Sequence, residues 1–149
     1  MNREMLFGRF PGLEETGGPA GFWTLRVPPE HLLELGEELR LAFPHLSCLT
    51  AVDFRDRLEL VYLLYSQDQK ERLCLKVDLP PENPEVESVT GIWPTADWQE
   101  REVYDMFGIR FRRHPNLKRI LLWEGYEGYP LRKGFGDPRP PRTRKVRPR

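Results

Sequence analysis

The pattern of apolar and polar positions divides the chain into segments. Trp23, Leu25 and Val27 alternate with Thr24 and Arg26, the period of a half-buried strand. Pro28-Pro29-Glu30 opens a helix, because proline is tolerated in a first helical turn. Leu32, Leu35, Leu39, Ala42 and Phe43 form its apolar stripe to about Phe43-Pro44, with Gly36 as a weak point. Three strands are expected next. Leu46 to Phe54 is the first, with a turn at Arg55-Asp56. Leu58 to Tyr65 is almost continuously apolar and reads as a central strand covered on both faces. After the polar turn Gln67–Glu71, Leu73, Leu75, Val77 and Leu79 alternate with Cys74, Lys76 and Asp78, completing an antiparallel meander that Pro80-Pro81 ends.

Asn83 before Pro84 predicts an N-cap with proline at N1, opening a short helix to about Thr90. A longer helix runs from a Thr95 cap to Gly108, where a left-handed residue would end it. Two short extended pieces follow, Ile109–Arg112 and Arg119–Trp123, joined through His114-Pro115-Asn116. Residues 1–21, rich in Gly and Pro, read as an irregular lead-in. The core domain is expected over 22–135, and residues 136–149 as a Pro/Arg-rich tail, with Pro138 to Arg149 an extended or disordered arm. The order β-α-β-β-β-α-α-β-β describes an α+β fold: a mostly antiparallel sheet, helices on one face, and an extended basic C-terminal arm.

The Thr95–Gly108 helix mixes its faces. At about 100° per residue, Met106, Val103, Phe107 and Tyr104 cover a broad arc, and Glu100 falls within it. Arg101, Asp105 and Glu102 surround Trp98 on the other side. A carboxylate among aromatic rings is costly unless cations or several donors satisfy it. Both faces are therefore expected to meet protein, with another polypeptide closing over the charges. The competing reading is internal pairing with Arg110, Arg112, Arg113, His114, Lys118 and Arg119 that fixes the local fold.

Composition narrows the options. A chain of 149 residues buries roughly 68–70% of its unfolded surface and needs no covalent staple. Cys48 and Cys74, far apart, read as buried apolar residues in a reducing compartment. No signal peptide is apparent, and nothing approaches the run of ~20 apolar residues that a membrane span needs, so a soluble chain is expected. The formal net charge is zero, yet residues 1–111 carry 11 Lys/Arg against 20 Asp/Glu, while residues 112–149 carry 12 against 3. That asymmetry points the C-terminal third toward an acidic surface.

Chemistry is hard to find. His31, His45 and His114 are widely spaced, and neither cysteine has a ligand nearby in sequence. Nucleotide loops and a Gly-x-Ser-x-Gly elbow are absent. Glu102 and Asp105, three apart, could share a proton or a divalent ion, although Arg101 in register with Asp105 favours an ion pair. The basic tail with Trp123, Tyr126, Tyr129 and Phe135 would also suit RNA, as a free RNA-binding protein, against which the body is acidic.

One spacing is specific. Glu100-Arg101-Glu102, Asp105, Met106-Phe107, His114, Lys118 and Ile120-Leu121 stand at the fixed positions of a family marker. On these residues the chain resembles the 30 kDa subunit of respiratory complex I, the proton-pumping NADH:quinone oxidoreductase. The similarity reaches Leu49–Asp53, Leu60–Leu63, Leu75–Val77 and Ser88–Pro94 upstream, and Gly128–Lys133 downstream, covering about residues 46–135. Gly91 and Gly134 depart from the family's usual Asp. The resemblance implies a non-catalytic structural subunit of the hydrophilic arm, peripheral on the cytoplasmic side of the cell membrane and touching membrane only through the assembly. It would be part of a hetero-oligomer with the large hydrogenase-like subunit and adjacent cluster-bearing subunits, and would bind no nucleic acid. FMN, iron–sulfur clusters and quinone would be bound by partner subunits, with no cofactor, metal or catalytic residue in this chain. Glu100, Arg101, Glu102, Asp105, His114, Lys118, Arg119, Arg132 and Lys133 would hold interface geometry. The marker is shared with membrane-bound nickel–iron hydrogenases and ferredoxin- or F420-linked complexes, so an equivalent subunit of such a relative is the alternative.

Overall fold

A computed structural model describes residues 3–136. The stretch expected to be an irregular lead-in instead begins with helix α1 (Arg3–Arg9), followed by a two-residue strand β1 (Glu14–Glu15). Leu6 and Phe10, four apart on one helical face, are both buried, which gives this short helix its reason to form.

Strand β2 (Trp23–Arg26) leads through a single 3-10 turn at Pro29–His31 into α2 (Leu32–Leu39). The helix is shorter than its apolar stripe, since Ala42 and Phe43 lie in the turn beyond it. Gly36 is a packing position: a Cβ there would stand 2.7 Å from Ile92 Cδ1. The meander is present as β3 (His45–Asp53), β4 (Leu58–Ser66) and β5 (Glu71–Leu79), all antiparallel neighbours. The five-stranded order is β1-β2-β5-β4-β3, with β2 running parallel to β5. This one parallel pair follows from the β2-α2-β3 crossover, which carries the chain over the sheet.

Leu58, Leu60, Tyr62 and Leu64 of β4 face the buried side together with Leu73, Leu75 and Val77 of β5. Leu32, Leu35 and Leu39 of α2 join the same core, so the helices occupy one face. The opposite face of β4 differs from expectation. Val61, Leu63 and Tyr65 are only half-buried there, and Glu59 sits in an ion cluster with Arg26 and Lys76.

The predicted helix after Asn83 is instead strand β6 (Glu85–Glu87). It pairs in parallel with a later strand β7 (Arg110–Arg112), with Val86 opposite Phe111. The Arg110 amide donates to Pro84 O, so the backbone at this proline is engaged across strands, and Val86 between Glu85 and Glu87 shows the period of a strand. Between these strands lies α3 (Ala96–Phe107). Thr95 occupies its N-cap without capping it, because its hydroxyl donates to Leu46 O on β3. Gly108 ends it at φ +74°, as expected. The second extended piece, Arg119–Trp123, is not a strand; bends carry the chain from residue 117 to 136 along α3 as an irregular strap. The basic arm from Pro138 to Arg149 lies outside the described residues.

Candidate functional site

Helix α3 carries two fully buried carboxylates on opposite sides. Glu100 points into the angle between the helix and the β6–β7 pair. Its Oε2 accepts from Ser88 Oγ at 2.7 Å and its Oε1 from the Val89 amide at 2.8 Å. His114 Nε2 stands 3.8 Å from Oε2. Nδ1 of that imidazole accepts from the Asn116 amide at 2.9 Å, and Nε2 turns to Asp97, 3.1 Å from its O and 3.3 Å from its Oδ1. Burial accordingly pushes the Glu100 carboxyl up to about 7, against the opposing pull of Ser88 Oγ and the Val89 amide.

Asp105 is also fully buried, with the opposite electrostatics. Oδ1 accepts from Arg119 NH1 at 2.8 Å, and Oδ2 from the amides of Ile120, Leu121 and Leu122 at 3.2, 2.7 and 3.0 Å. Burial alone would raise this carboxyl, but the guanidinium and three amides hold it below the usual carboxylate range. Arg119 goes further, donating to Tyr126 O and Gly128 O while its guanidinium lies over the rings of Tyr126 and Tyr129. A Cβ on Gly108 would meet the Tyr129 ring at 2.6 Å, so the helix terminus is shaped to admit it.

The remaining clamps tie down both ends of the strap. Arg101 donates to Lys118 O and Arg119 O and stacks on Trp98, so the expected Arg101–Asp105 ion pair gives way to Arg119–Asp105. At the far end the Leu131 amide donates to Met106 O, and Arg132 donates to Phe107 O and Pro81 O. The Lys133 amide donates to Asp53 Oδ2, an edge-strand acid that Arg55, Arg132 and Lys133 keep ionised despite burial.

Seven of the nine residues singled out by sequence thus sit on α3 or on the segment that packs against it, while Arg132 and Lys133 meet Asp53. Glu102, Lys118 and Lys133 have exposed side chains. Glu102 is not brought to Asp105 as an acid pair, because Asp105 is filled by the strap. The groups expected to be closed over by another polypeptide are closed over by this chain. Ser88, Asp53 and Asp97 had no distinctive spacing; only their place in Ser88–Pro94 and Leu49–Asp53 marked the first two. Besides charged side chains such as Lys118, Glu124 and Glu127, the strap and the helix beneath it leave four large apolar ones outside: Trp98, Leu121, Trp123 and Leu131 are 62%, 62%, 59% and 55% exposed. Among the described residues, no helix is long and apolar enough to cross a membrane.

Residues 25–140 match the family model described as the respiratory-chain NADH dehydrogenase, 30 Kd subunit. The chain is 46% identical over 138 residues to a C-type subunit of the NADH-quinone oxidoreductase of Rhizobium meliloti, covering 87% of this chain and 75% of that protein. Against the C-type subunit of Moorella thermoacetica it is 44% identical over 133 residues, covering 85% and 87%. Among solved structures, a trypsin-resistant fragment of Nqo5 superposes at a TM-score of 0.68 with 29% identity, over 77% of this chain and 97% of that one. A chain of the archaeal membrane-bound sulfane sulfur reductase superposes at 0.77 with 25% identity, over 89% and 82%. The strap-binding helix and its sheet are therefore the frame of a known fold, and this chain belongs to the 30 kDa subunit family of the respiratory-chain NADH dehydrogenase.

Proposed function

We propose that this chain is a non-catalytic structural subunit of a complex I-type NADH:quinone oxidoreductase, peripheral on the cytoplasmic side of the membrane. It docks on the large hydrogenase-like subunit of the hydrophilic arm, and its neighbours bind the FMN, the iron–sulfur clusters and the quinone. The observation that carries this reading is the strap. Its polar backbone is satisfied inward by Asp105, Arg101 and Arg119, while Leu121, Trp123 and Leu131 stand outward with Trp98. An irregular segment held this firmly, with its large apolar side chains in solvent, suits an interface core.

On this reading Arg101, Asp105, Arg119 and Arg132 fix the strap from inside, while Glu100 and His114 fix the turns on the other side of the helix. Glu102, Lys118 and Lys133 are exposed to the neighbour. The basic arm at residues 138–149 adds charge complementary to an acidic partner. Expression of Leu121→Ser/Trp123→Ser in cells that carry the complex tests the proposal. The double variant is expected to fold and yet lose at least tenfold of its co-purification with the large subunit. Unchanged co-purification would overturn it.

A second reading has a specific observation behind it. A chain of an archaeal membrane-bound sulfane sulfur reductase superposes on this one at a TM-score of 0.77. The equivalent place in a membrane complex with another donor or acceptor is therefore the alternative. The higher identity to the C-type subunits of NADH-quinone oxidoreductases favours quinone linkage. Mass spectrometry of the native complex separates the two, since a large subunit with nickel-ligand cysteines, or missing NADH-binding subunits, would select the alternative.

A further inference from the structure

Glu100 does nothing for the strap. It is fully buried, faces away from Asp105 and accepts hydrogen bonds from two neutral donors, Ser88 Oγ and the Val89 amide, with His114 Nε2 3.8 Å from Oε2. Every charge around it is engaged elsewhere or has the wrong sign. Arg101 serves the strap carbonyls, and Arg113 pairs with Glu87 at 2.8 Å. His114 is engaged by the Asn116 amide at Nδ1 and by Asp97 O and Oδ1 at Nε2, and Asp97 on the same helix brings a second negative charge. From β4, the Tyr62 hydroxyl lies in the field of Glu100, buried and without a hydrogen-bond partner among the described residues. An ionised carboxylate with no cation is disfavoured in such a place, while a neutral acid is not.

The hydroxyls beside it form a path outward. Ser88 Oγ lies 2.7 Å from Glu100 Oε2 and 2.8 Å from Thr90 Oγ1, and it also accepts from the Thr90 amide. Thr90 is half-exposed and, together with Ser88 itself, lines a surface groove with Gly91, Asp97, Arg113 and Pro115. Oxygens at these distances can reverse their donor order: with Glu100 neutral, its O–H donates to Ser88, which donates to Thr90. With Glu100 ionised, Thr90 donates to Ser88 and Ser88 to the carboxylate.

We propose that Glu100 is a proton-binding site, held as the carboxylic acid inside the fold and exchanging its proton with the groove through the Ser88 and Thr90 hydroxyls. Uptake is balanced step by step. A solvent proton binds Thr90 Oγ1, the Thr90 hydroxyl proton passes to Ser88 Oγ, and the Ser88 hydroxyl proton passes to Glu100 Oε2; release runs in reverse. Ionisation leaves a negative charge between α3 and the β6–β7 pair, so the proton acts as a latch on that junction. The residues that bring it about are outside the strap and its exposed apolar side chains, and the site stands whether or not the docking proposal does.

Carbon-13 NMR of the full chain labelled at glutamate, followed from pH 5 to 9, tests the site. The Glu100 carboxyl resonance, assigned through its backbone, is expected to titrate with a midpoint near 7, as one averaged signal. Ser88→Ala removes a donor to the ionised form and is expected to raise that midpoint by a unit or more. Ser88→Ala/Thr90→Val removes both hydroxyls between Glu100 and the groove and is expected to split the averaged signal into two slowly exchanging ones near the midpoint. A Glu100 resonance that stays in its ionised position down to pH 5 would overturn the site. A spectrum of that double variant with unchanged averaging would overturn the path. The wild-type titration decides the first point even where a variant does not fold.

Discussion

At the scale of single residues, helix α3 holds two carboxylates, five positions apart, whose pKa values are displaced in opposite directions from the ordinary range. Asp105 lies below the usual carboxylate range, so its contribution to stability is present above the unfolded-state pKa and lost as pH falls through the lower folded value. Replacing it by Asn leaves the Arg119 guanidinium in a half-buried site with no carboxylate. The expected cost is about 3–5 kcal/mol, read by denaturant unfolding at pH 7, and a cost within noise would refute the clamp. Glu100 runs the other way. Its folded pKa is raised from 4.5 to about 7, so stabilisation is fully present below 4.5 and fades as pH rises through 7, by about 3 kcal/mol over that window. Glu100→Gln should remove that slope and be at least as stable as the parent at pH 8, whereas Glu100→Lys should lose several kcal/mol, as for a buried unpaired charge. Thermal melts of the variants from pH 5 to 8 check both. Glu100 was readable as an acid on an apolar arc, because helical periodicity is strong. Its partners were not, because Ser88 arrives from a strand whose path the local sequence does not dictate. Likewise Arg101 was the natural mate for Asp105 by helical spacing, and the strap brought Arg119 instead.

At the scale of elements, what periodicity could show was the meander, α2, α3 and the Gly108 terminus. Each has a long run of one period or a residue type with few alternatives. The failures are short or non-local. Three residues at Glu85–Glu87 form a strand because β7, twenty-five positions on, supplies the ladder, while Asn83-Pro84 offers a helix start that tertiary contacts override. The parallel β2–β5 pair leaves no local trace either, being set by a crossover. Gly108 shows the opposite situation, two constraints on one position. Alanine there would adopt φ +74° at a cost of roughly 1–2 kcal/mol, and its Cβ would drive the Tyr129 ring aside. Gly108→Ala is therefore expected to lower the unfolding midpoint and to disturb Tyr104–Tyr129 packing, visible as changed aromatic NMR shifts. A melting temperature equal to the parent's would show that the ring moves freely.

For the whole molecule, the family was readable from the spacing of ten residues between Glu100 and Leu121, among which Arg101 and Asp105 on α3 grip the backbone from Lys118 to Leu121 and Glu100 grips Ser88 and Val89 on the other side. The charge imbalance along the chain bears on assembly. Residues 112–149 carry an excess of nine positive charges, so association with an acidic neighbour is expected to weaken steeply as salt rises. Removing residues 138–149 should weaken assembly while leaving the unfolding curve of the chain in place, because the clamps on α3 and Asp53 all lie before residue 137. Equal recovery of the complex with and without the arm would deny it a role.

The Asp105 clamp has a further consequence for how this surface fails. A strand shares its amides among many acceptors and frays from an end, but here three successive amides and a guanidinium converge on one side chain. Once that side chain takes up a proton in strong acid, all four lose their common counterpart together. Residues 117–136 should then peel away as a block, their amides losing protection from hydrogen exchange before those of the sheet beneath.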